Sequence, residues 1–386
     1  MRIIFALIVS GFLLSLNSCC IFTPPEESPQ VTKIGIIIPK SGKRAFSGRK
    51  SLDGIFLAHD QINRKGPVRG KLIKLVIMDN NSSVKGSRKA MQILVKKHKV
   101  KLVIAACSTA NALAIKPIAA KAKVPVLLTI STGNVVTERN PYMFRCCFSD
   151  DSQARAMAAF AYNNKVYTDV GVLLDLNEQV TYRRDLGRAF AAEFKNSLGR
   201  TVKEIGYRSG TKDFTSQMKE FKKSKATAIF APSDIPDAGI ILKQARENGL
   251  SKVFLGSDGW DHSELFDYFG PNPGACFLTS MFAPESSLPG VKEFVRSIKA
   301  RTGAMPEPDT AQAYDALNIA VKALMLSKPG ADIRSGLYKI KNYPGVTGIT
   351  SIDAGGDAQK AIFIKKIIKK ADKKFGFKLI KTIYPK

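Results

Sequence analysis

Six short segments carry most of the side chains that could meet a small charged ligand. They are Ser41–Gly48, Cys107–Asn111, Ile130–Asn134, Asp175–Tyr182, Pro232–Ile235 and Ser257–Asp261. Hydroxyls stand at Ser108, Thr109, Ser131 and Thr132, and acids at Asp234 and Asp258. Taken singly, each is ordinary turn or helix-cap chemistry, for which Ser, Thr and Asp are favoured. Brought together, hydroxyls and helix N-terminal amides suit a carboxylate, and a lone acid opposite suits an ammonium. A zwitterion shut in a dewatered cleft needs both, because an unpaired buried charge is costly.

Other chemistries find less support. A phosphate loop needs four residues between its glycine and Gly-Lys-Ser/Thr; Gly42 to Gly48-Arg49-Lys50-Ser51 has five and an extra Arg. No Gly-x-Ser-x-Gly elbow and no Cys-x-x-Cys occurs. His59, His98 and His262 are far apart and lack His-Glu-x-x-His spacing, so no metal is expected. No nucleophile–base pair stands out, and neither an enzyme nor a cofactor is expected.

The elements that must position these loops alternate regularly. Apolar runs at 33–39, 74–79, 102–106 and 124–129 read as strands. Amphipathic stretches at 49–63, 87–98 and 110–121 read as helices between them. The pattern restarts with strands at 170–175, 201–205, 226–231 and 253–256, and helices at 182–197, 214–222 and 236–248. A strand at 276–280, helices at 289–301 and 310–327, and a charged hairpin-like tail at 361–368 and 378–384 follow. Strand–helix alternation of this length implies parallel sheets, hence two successive α/β lobes with a break near Arg145–Asp151. In open α/β sheets ligands lie outside the carboxyl ends of the strands, where the six segments fall.

The chain has 386 residues, with 45% hydrophobic and 24% charged, which suits a globular protein with a real core and excludes a polytopic membrane protein. Its 60 Lys+Arg against 32 Asp+Glu give a formal charge of +28. The basic residues gather in no single arm and accompany no zinc-finger or RNA-recognition signature, so nucleic acid is not an expected partner. Arg2, the apolar run from Ile3 to Leu14 and a small-residue break have the layout of an export signal. Leu16-Asn17-Ser18-Cys19 resembles a bacterial lipobox, in which Cys19 is acylated after residues 1–18 are removed, leaving a charge of +27. Pro24, Pro25 and Pro29 make 19–32 an extended tether from a membrane anchor. Cys107, Cys146, Cys147 and Cys276 are even in number, which permits disulfides outside the cytoplasm, but their separations resemble no stapled scaffold.

In order and spacing the chain resembles the type I periplasmic binding proteins, in particular the branched-chain amino-acid-binding group of ABC importers. The likeness runs through Ser41-Gly42, Gly54, Ala58-His59-Asp60-Gln61-Ile62-Asn63, Arg69-Gly70-Lys71-Leu72, Ser108-Thr109, Phe144-Arg145, Asp213-Phe214, Lys243-Gln244-Ala245-Arg246, Asp258-Gly259, Tyr314-Asp315-Ala316 and Asp353 to Gly356-Asp357. The resemblance implies two Rossmann-like lobes with central, mainly parallel sheets, joined by a three-strand hinge. It implies a first lobe of 33–147 plus 280–346 and a second of 148–279 plus 347–386, with crossings near Arg145–Asp150, Leu278–Phe282 and Gly345–Ile349. By the same resemblance Ser108 and Thr132 hold an α-carboxylate, Asp258 an α-ammonium, and Tyr182 closes from the second lobe. Phe46 or Ser47 matches the first-loop aromatic, and Thr109, Ile130, Ser131 and Asp234 complete the expected ligand set. Two departures stand out: no Cys lies in Asn80-Asn81-Ser82-Ser83 to pair with Cys107, and Ile130 replaces a usually small residue. The implied protein is a monomeric, exported receptor, lipid-anchored at the periplasmic or outer face of a bacterial membrane and handing a small zwitterion to permease subunits. A ligand sensor of the same fold, or a binder of a short amide or other small solute, is the alternative. Trp260 is expected at the cleft.

Overall fold

The computed structural model describes residues 30–163, 167–177, 181–197, 200–208, 210–330 and 332–384, apart from the side chains of Thr181, Tyr182 and Val202. The expected signal stretch, Cys19 and nearly all of the tether lie outside the described residues. Apolar, β-branched runs form β1 (Val31–Ile38), β2 (Leu72–Asp79), β3 (Leu102–Ala105), β4 (Val126–Leu128) and β5 (Met143–Arg145). Between them run α1 (Ala45–Arg64), α2 (Val84–Lys96) and α3 (Thr109–Ala122). These strands pair in parallel in the order β2-β1-β3-β4-β5.

After α4 (Asp150–Asn163), a second series follows: β6 (Asp169–Asp175), α5 (Thr181–Asn196), β7 (Arg200–Tyr207), α6 (Thr215–Lys223), β8 (Ala228–Phe230), α7 (Asp237–Glu247), β9 (Val253–Gly256) and β10 (Cys276–Ser280). The chain then returns to the first lobe as α8 (Val291–Thr302), α9 (Pro308–Leu326) and α10 (Arg334–Leu337). Three short strands, β11 (Tyr343–Gly345), β12 (Gly348–Ile352) and β13 (Ala358–Gln359), make a small antiparallel sheet. The chain ends in β14 (Ile362–Lys369) and β15 (Phe375–Ile383), which join the second sheet in the order β15-β14-β10-β9-β8-β6-β7. Only β14 and β15 break its parallel run.

Each of the two large sheets is covered on both faces, which accounts for strands such as β3 and β8 in which every residue is buried. On one face of the first sheet α1 and α9 pack together so closely that Gly54 cannot carry a side chain: a Cβ there would stand 1.9 Å from the Thr310 carbonyl oxygen.

Two of the three crossings fall where the sequence places them, at Cys146–Ser149 and just after Ser280. The third does not. Gly345–Ile349 is the turn of the β11–β12 hairpin, Ile352 packs in the first lobe's core, and Gly356 O accepts from Arg145 N of β5. Residues 347–359 therefore sit with the first lobe, and the chain crosses at Lys360–Ala361. The buried Lys360 Nζ donates to the Cys146 carbonyl at 2.9 Å, tying the third crossing to the first.

Candidate functional site

Both sheets have their topological switch where the strand order reverses, between β1 and β3 and between β6 and β8. The loops leaving these strands face one another across a cleft, and a cavity of about 290 Å³ lies between them. Its wall includes Arg44, Phe46, Ser47, Ser108, Thr109, Ile130, Thr132, Arg183, Asp234, Asp258, His262 and Asp309. This is the crevice at the carboxyl ends of the strands in which open α/β sheets bind ligands.

Five helices begin at this cavity: α1, α3, α5, α7 and α9. Helix N-termini carry unbonded amides and a partial positive charge. In α7 and α9 a first-turn acid, Asp237 or Asp309, already answers that charge. The first turns of α1, α3 and α5 contain no acid; that of α5 carries Arg183, ion-paired with Asp175 and Asp234, and the positive ends of α1 and α3 are the ones offered to an anion. Ser108 caps α3, its Oγ accepting only a long bond, 3.4 Å, from Asn111 N, which leaves the hydroxyl proton for another partner. Thr109 Oγ1 accepts from Gly133 N at 3.3 Å and so braces the neighbouring loop.

After β4 the chain bends at Ile130 and continues through Ser131 and Thr132. Ile130 and Thr132 face the cavity, whereas Ser131 is fully buried and donates to the Cys107 carbonyl. Ser131 thus braces the site from behind instead of lining it. The Thr132 side chain bonds the Asp150 carboxyl. Burial pushes Asp150 up to about 6, against the hydrogen bonds from Thr132 and Gln153.

Asp258 stands across the cavity on a single helical turn after β9. Burial is the main cause that raises its carboxyl to about 7, and the charges of Asp150 and Asp234 add to it. No cationic side chain stands within ion-pairing distance of Asp258 among the described residues. Gln153 holds the turn, its Oε1 accepting from Asp258 N at 3.4 Å and from Thr279 Oγ1 at 2.9 Å.

Contacts bridge the two lobes. Arg44 Nη2 of the first reaches Asp234 Oδ2 of the second at 2.6 Å. His262 Nδ1 lies 3.3 Å from Asp309 Oδ2, and Ser263 Oγ donates to Glu307 Oε1. Burial works against charging His262, but Asp309, Glu307 and Asp261 outweigh it and hold its pKa above the ordinary value. Phe46 meets the His262 ring edge-on at 6.3 Å between centroids.

A family model described as "Periplasmic binding protein" matches residues 31–372, nearly the whole described chain. The chain belongs to the periplasmic binding protein family. An amino acid binding protein of Pseudomonas aeruginosa is 28% identical over 339 residues, covering 86% of this chain and 88% of its own. A leucine-binding protein from Thermotoga maritima is 31% identical with a TM-score of 0.82, covering 92% of this chain and 99% of its own. A branched-chain amino-acid-binding protein from Streptococcus pneumoniae, solved with isoleucine, is 26% identical with a TM-score of 0.79 over 91% of this chain and 99% of its own.

Among the residues expected at the site, Phe46, Ser108, Thr109, Ile130, Thr132, Asp234 and Asp258 line the cavity. Ser47 lines it too, but its hydroxyl is committed to Asp309 Oδ1 at 2.6 Å. Tyr182 belongs to the first turn of α5, and its side chain lies outside the described residues. Trp260 does not face the cleft: its indole is buried in the second lobe, with Nε1 donating to Ser233 Oγ at 3.0 Å. The four described cysteines are buried free thiols. Arg44, Arg183, Asp237 and Asp309 were not expected at the cleft. They belong to ion pairs and helix starts, which a reading for hydroxyl-rich turns passes over.

Proposed function

We propose that the protein is the solute receptor of an ABC importer and that it closes on a free α-amino acid. The observation that carries this reading is the opposition, across one cavity, of an acid without a cationic partner and two helix N-termini without an acid. A carboxylate on the amides of α1 and α3, beside Ser108 and Thr132, has its charge met without a basic side chain. An ammonium at Asp258 relieves the crowding of Asp258, Asp150 and Asp234. Neither half needs a nucleophile or a general base, which supports binding over catalysis, and a permease is the expected partner.

The direct test is calorimetry and thermal unfolding with the common amino acids at pH 8. A true ligand at 100 times its dissociation constant should add about 2.7 kcal/mol of stability. Absence of heat and of any midpoint shift across the set would reject the reading.

The anchor belongs to the same proposal. Acylation at Cys19 would hold the receptor at the membrane through several chains, which anchor far better than one. Cys19→Ser should move the protein from the detergent phase to the aqueous phase on partitioning of cell membranes. Unchanged partitioning would reject Cys19 as the anchor.

A further inference from the structure

The amino ends of the first sheet's strands form a face that solute binding does not use. Because the five strands are parallel, the segments that feed them lie at the edge away from the cleft. The approach to β2 carries Arg64, Lys65, Arg69 and Lys71, and the approach to β3 carries Lys96, Lys97, Lys99 and Lys101. Lys121 and Lys123 precede β4, and Lys328 follows α9. All of these are exposed, and none forms an ion pair among the described residues. No acid stands within 64–71, 96–101 or 121–125.

Contacts join these segments into one surface. Arg69 Nη2 donates to the Met325 carbonyl at 3.0 Å, which brings the approach to β2 against the end of α9. A shallow cavity of about 610 Å³ is lined by Lys99, Lys101, Lys123, Tyr142 and Arg334, and Asp332 in the same wall is taken by Arg334 at 3.4 Å. At the cleft ends of the same elements acids stand among the bases: Asp79 closes β2 and Asp309 opens α9. Bases that are scattered in sequence are thus gathered by the fold.

The chain enters the fold at this face. β1 begins at Val31 opposite Leu72, and the Gln30 carbonyl accepts from Leu72 N at 3.0 Å. The eleven peptide bonds from Cys19 to Gln30 span at most about 40 Å, so an anchor at Cys19 keeps this face close to the bilayer. Clustered Lys and Arg are drawn to anionic headgroups, over a range of about 8 Å at physiological salt. The far pole of the second lobe also exposes Lys369, Lys370, Lys373 and Lys374, at the β14–β15 turn, but β1 and the segment from Cys19 belong to the first lobe.

We propose that this basic face of the first lobe docks on an anionic lipid surface, leaving the cleft on its far side open to solute. The proposal takes its direction from the Cys19 reading, and its test omits the anchor so that the two can fail separately.

The test is flotation of residues 20–386, which contain both lobes entire, with vesicles of phosphatidylcholine alone or with about one-third phosphatidylglycerol. Binding should favour the anionic vesicles about tenfold or more at low salt and vanish near 0.5 M, where the screening length is about 4 Å. The combined variant Lys96→Gln, Lys97→Gln, Lys99→Gln and Lys101→Gln should weaken it about tenfold or more. Lys369→Gln, Lys370→Gln, Lys373→Gln and Lys374→Gln together remove the same charge at the opposite pole and should change it less than about threefold. Thermal midpoints should stay at the wild-type value. Lys121→Gln with Lys123→Gln, on the basic face, should weaken binding about threefold, which keeps the proposal testable if the larger variant folds poorly. Equal losses from the two quadruple variants, or no preference for the anionic vesicles, would overturn the proposal. Duplex DNA bound through the same lysines more tightly than the vesicles would overturn it in favour of a nucleic-acid partner. None of these outcomes touches the Cys19 partitioning experiment, which decides the anchor by itself.

Discussion

Asp258→Asn should lose the ligand and gain stability, two effects that point in opposite directions. As the partner of an ammonium in a closed cleft, the carboxylate is worth about 2–5 kcal/mol, so affinity should fall roughly 30-fold or more. The free protein, however, holds this acid at about 7 against an ordinary 3.8. The folded state thus binds the proton more tightly than the unfolded one, and that advantage is lost as pH rises from about 4 to about 7. Above pH 7 the ionised Asp258 costs the free protein on the order of 4 kcal/mol, which Asn avoids. The variant should therefore unfold later than wild type at pH 8, with the gap closing towards pH 4. A residue that merely shapes the turn after β9 would show the stability gain without the loss of affinity, because Asn serves turns equally well. Urea unfolding at pH 4 and pH 8, with calorimetry at pH 8, decides between them, and equal affinities would sink the role of Asp258.

The same acid makes binding depend on pH. Only the ionised form meets an ammonium, so wild-type affinity should fall by about tenfold from pH 8 to pH 6, with protons released on binding near neutrality. Asp258→Asn should flatten that dependence. Asp150 at about 6 and the ion-paired Asp234 also face this acid, and their charges add to the upward push of burial on its pKa.

The parts of the fold legible in the sequence are those where one face or both are buried over a full element. β9 and β10 fall where their apolar runs place them, and α3 differs from expectation by one residue at each end. What escaped notice is short or weakly patterned. β5, β11 and β13 have three residues or fewer, too few to show a period. α4 buries so many of its residues, Asp150 and Gln153 among them, that it presents no clear polar face. The third crossing was misplaced for a related reason: Gly345 to Gly348 reads as a loop whether it turns a hairpin or links lobes. At the site, the rule that ligands lie at strand ends found the right loops, but not which way each residue faces. Ser131 and Trp260 were drawn into the cleft by their neighbours, and both turn into packed interior. Arg44 and Asp234 are 190 residues apart, and nothing local announces such a pair.

Arg145 was legible as part of a motif, yet its task is visible only in three dimensions. The side chain is wholly buried at the first crossing. Its Nε bonds Asp357 Oδ1 at 2.6 Å, Nη1 bonds the Thr132 carbonyl at 2.5 Å, and Nη2 bonds the Asn134 carbonyl at 3.2 Å and Thr137 Oγ1 at 3.1 Å. One guanidinium thus fixes the loop that presents Thr132 to the cleft and ties it to the segment leading into the third crossing. Arg145→Met should destabilise the protein by about 3–5 kcal/mol, since it orphans buried carbonyls as well as an acid. Asp357→Asn should cost far less, about 1 kcal/mol, because Asp357 is partly exposed and Arg145 keeps its carbonyl partners. Arg145→Lys should fall between the two, as one ammonium cannot span the same fork of acceptors. Ligand affinity should follow the same order, because the Thr132 loop is free to shift only when its carbonyls lose their donor. Equal losses from Arg145→Met and Asp357→Asn in urea unfolding would assign the effect to the ion pair alone. Unequal losses in stability with unchanged affinity in all three variants would separate Arg145 from the site altogether.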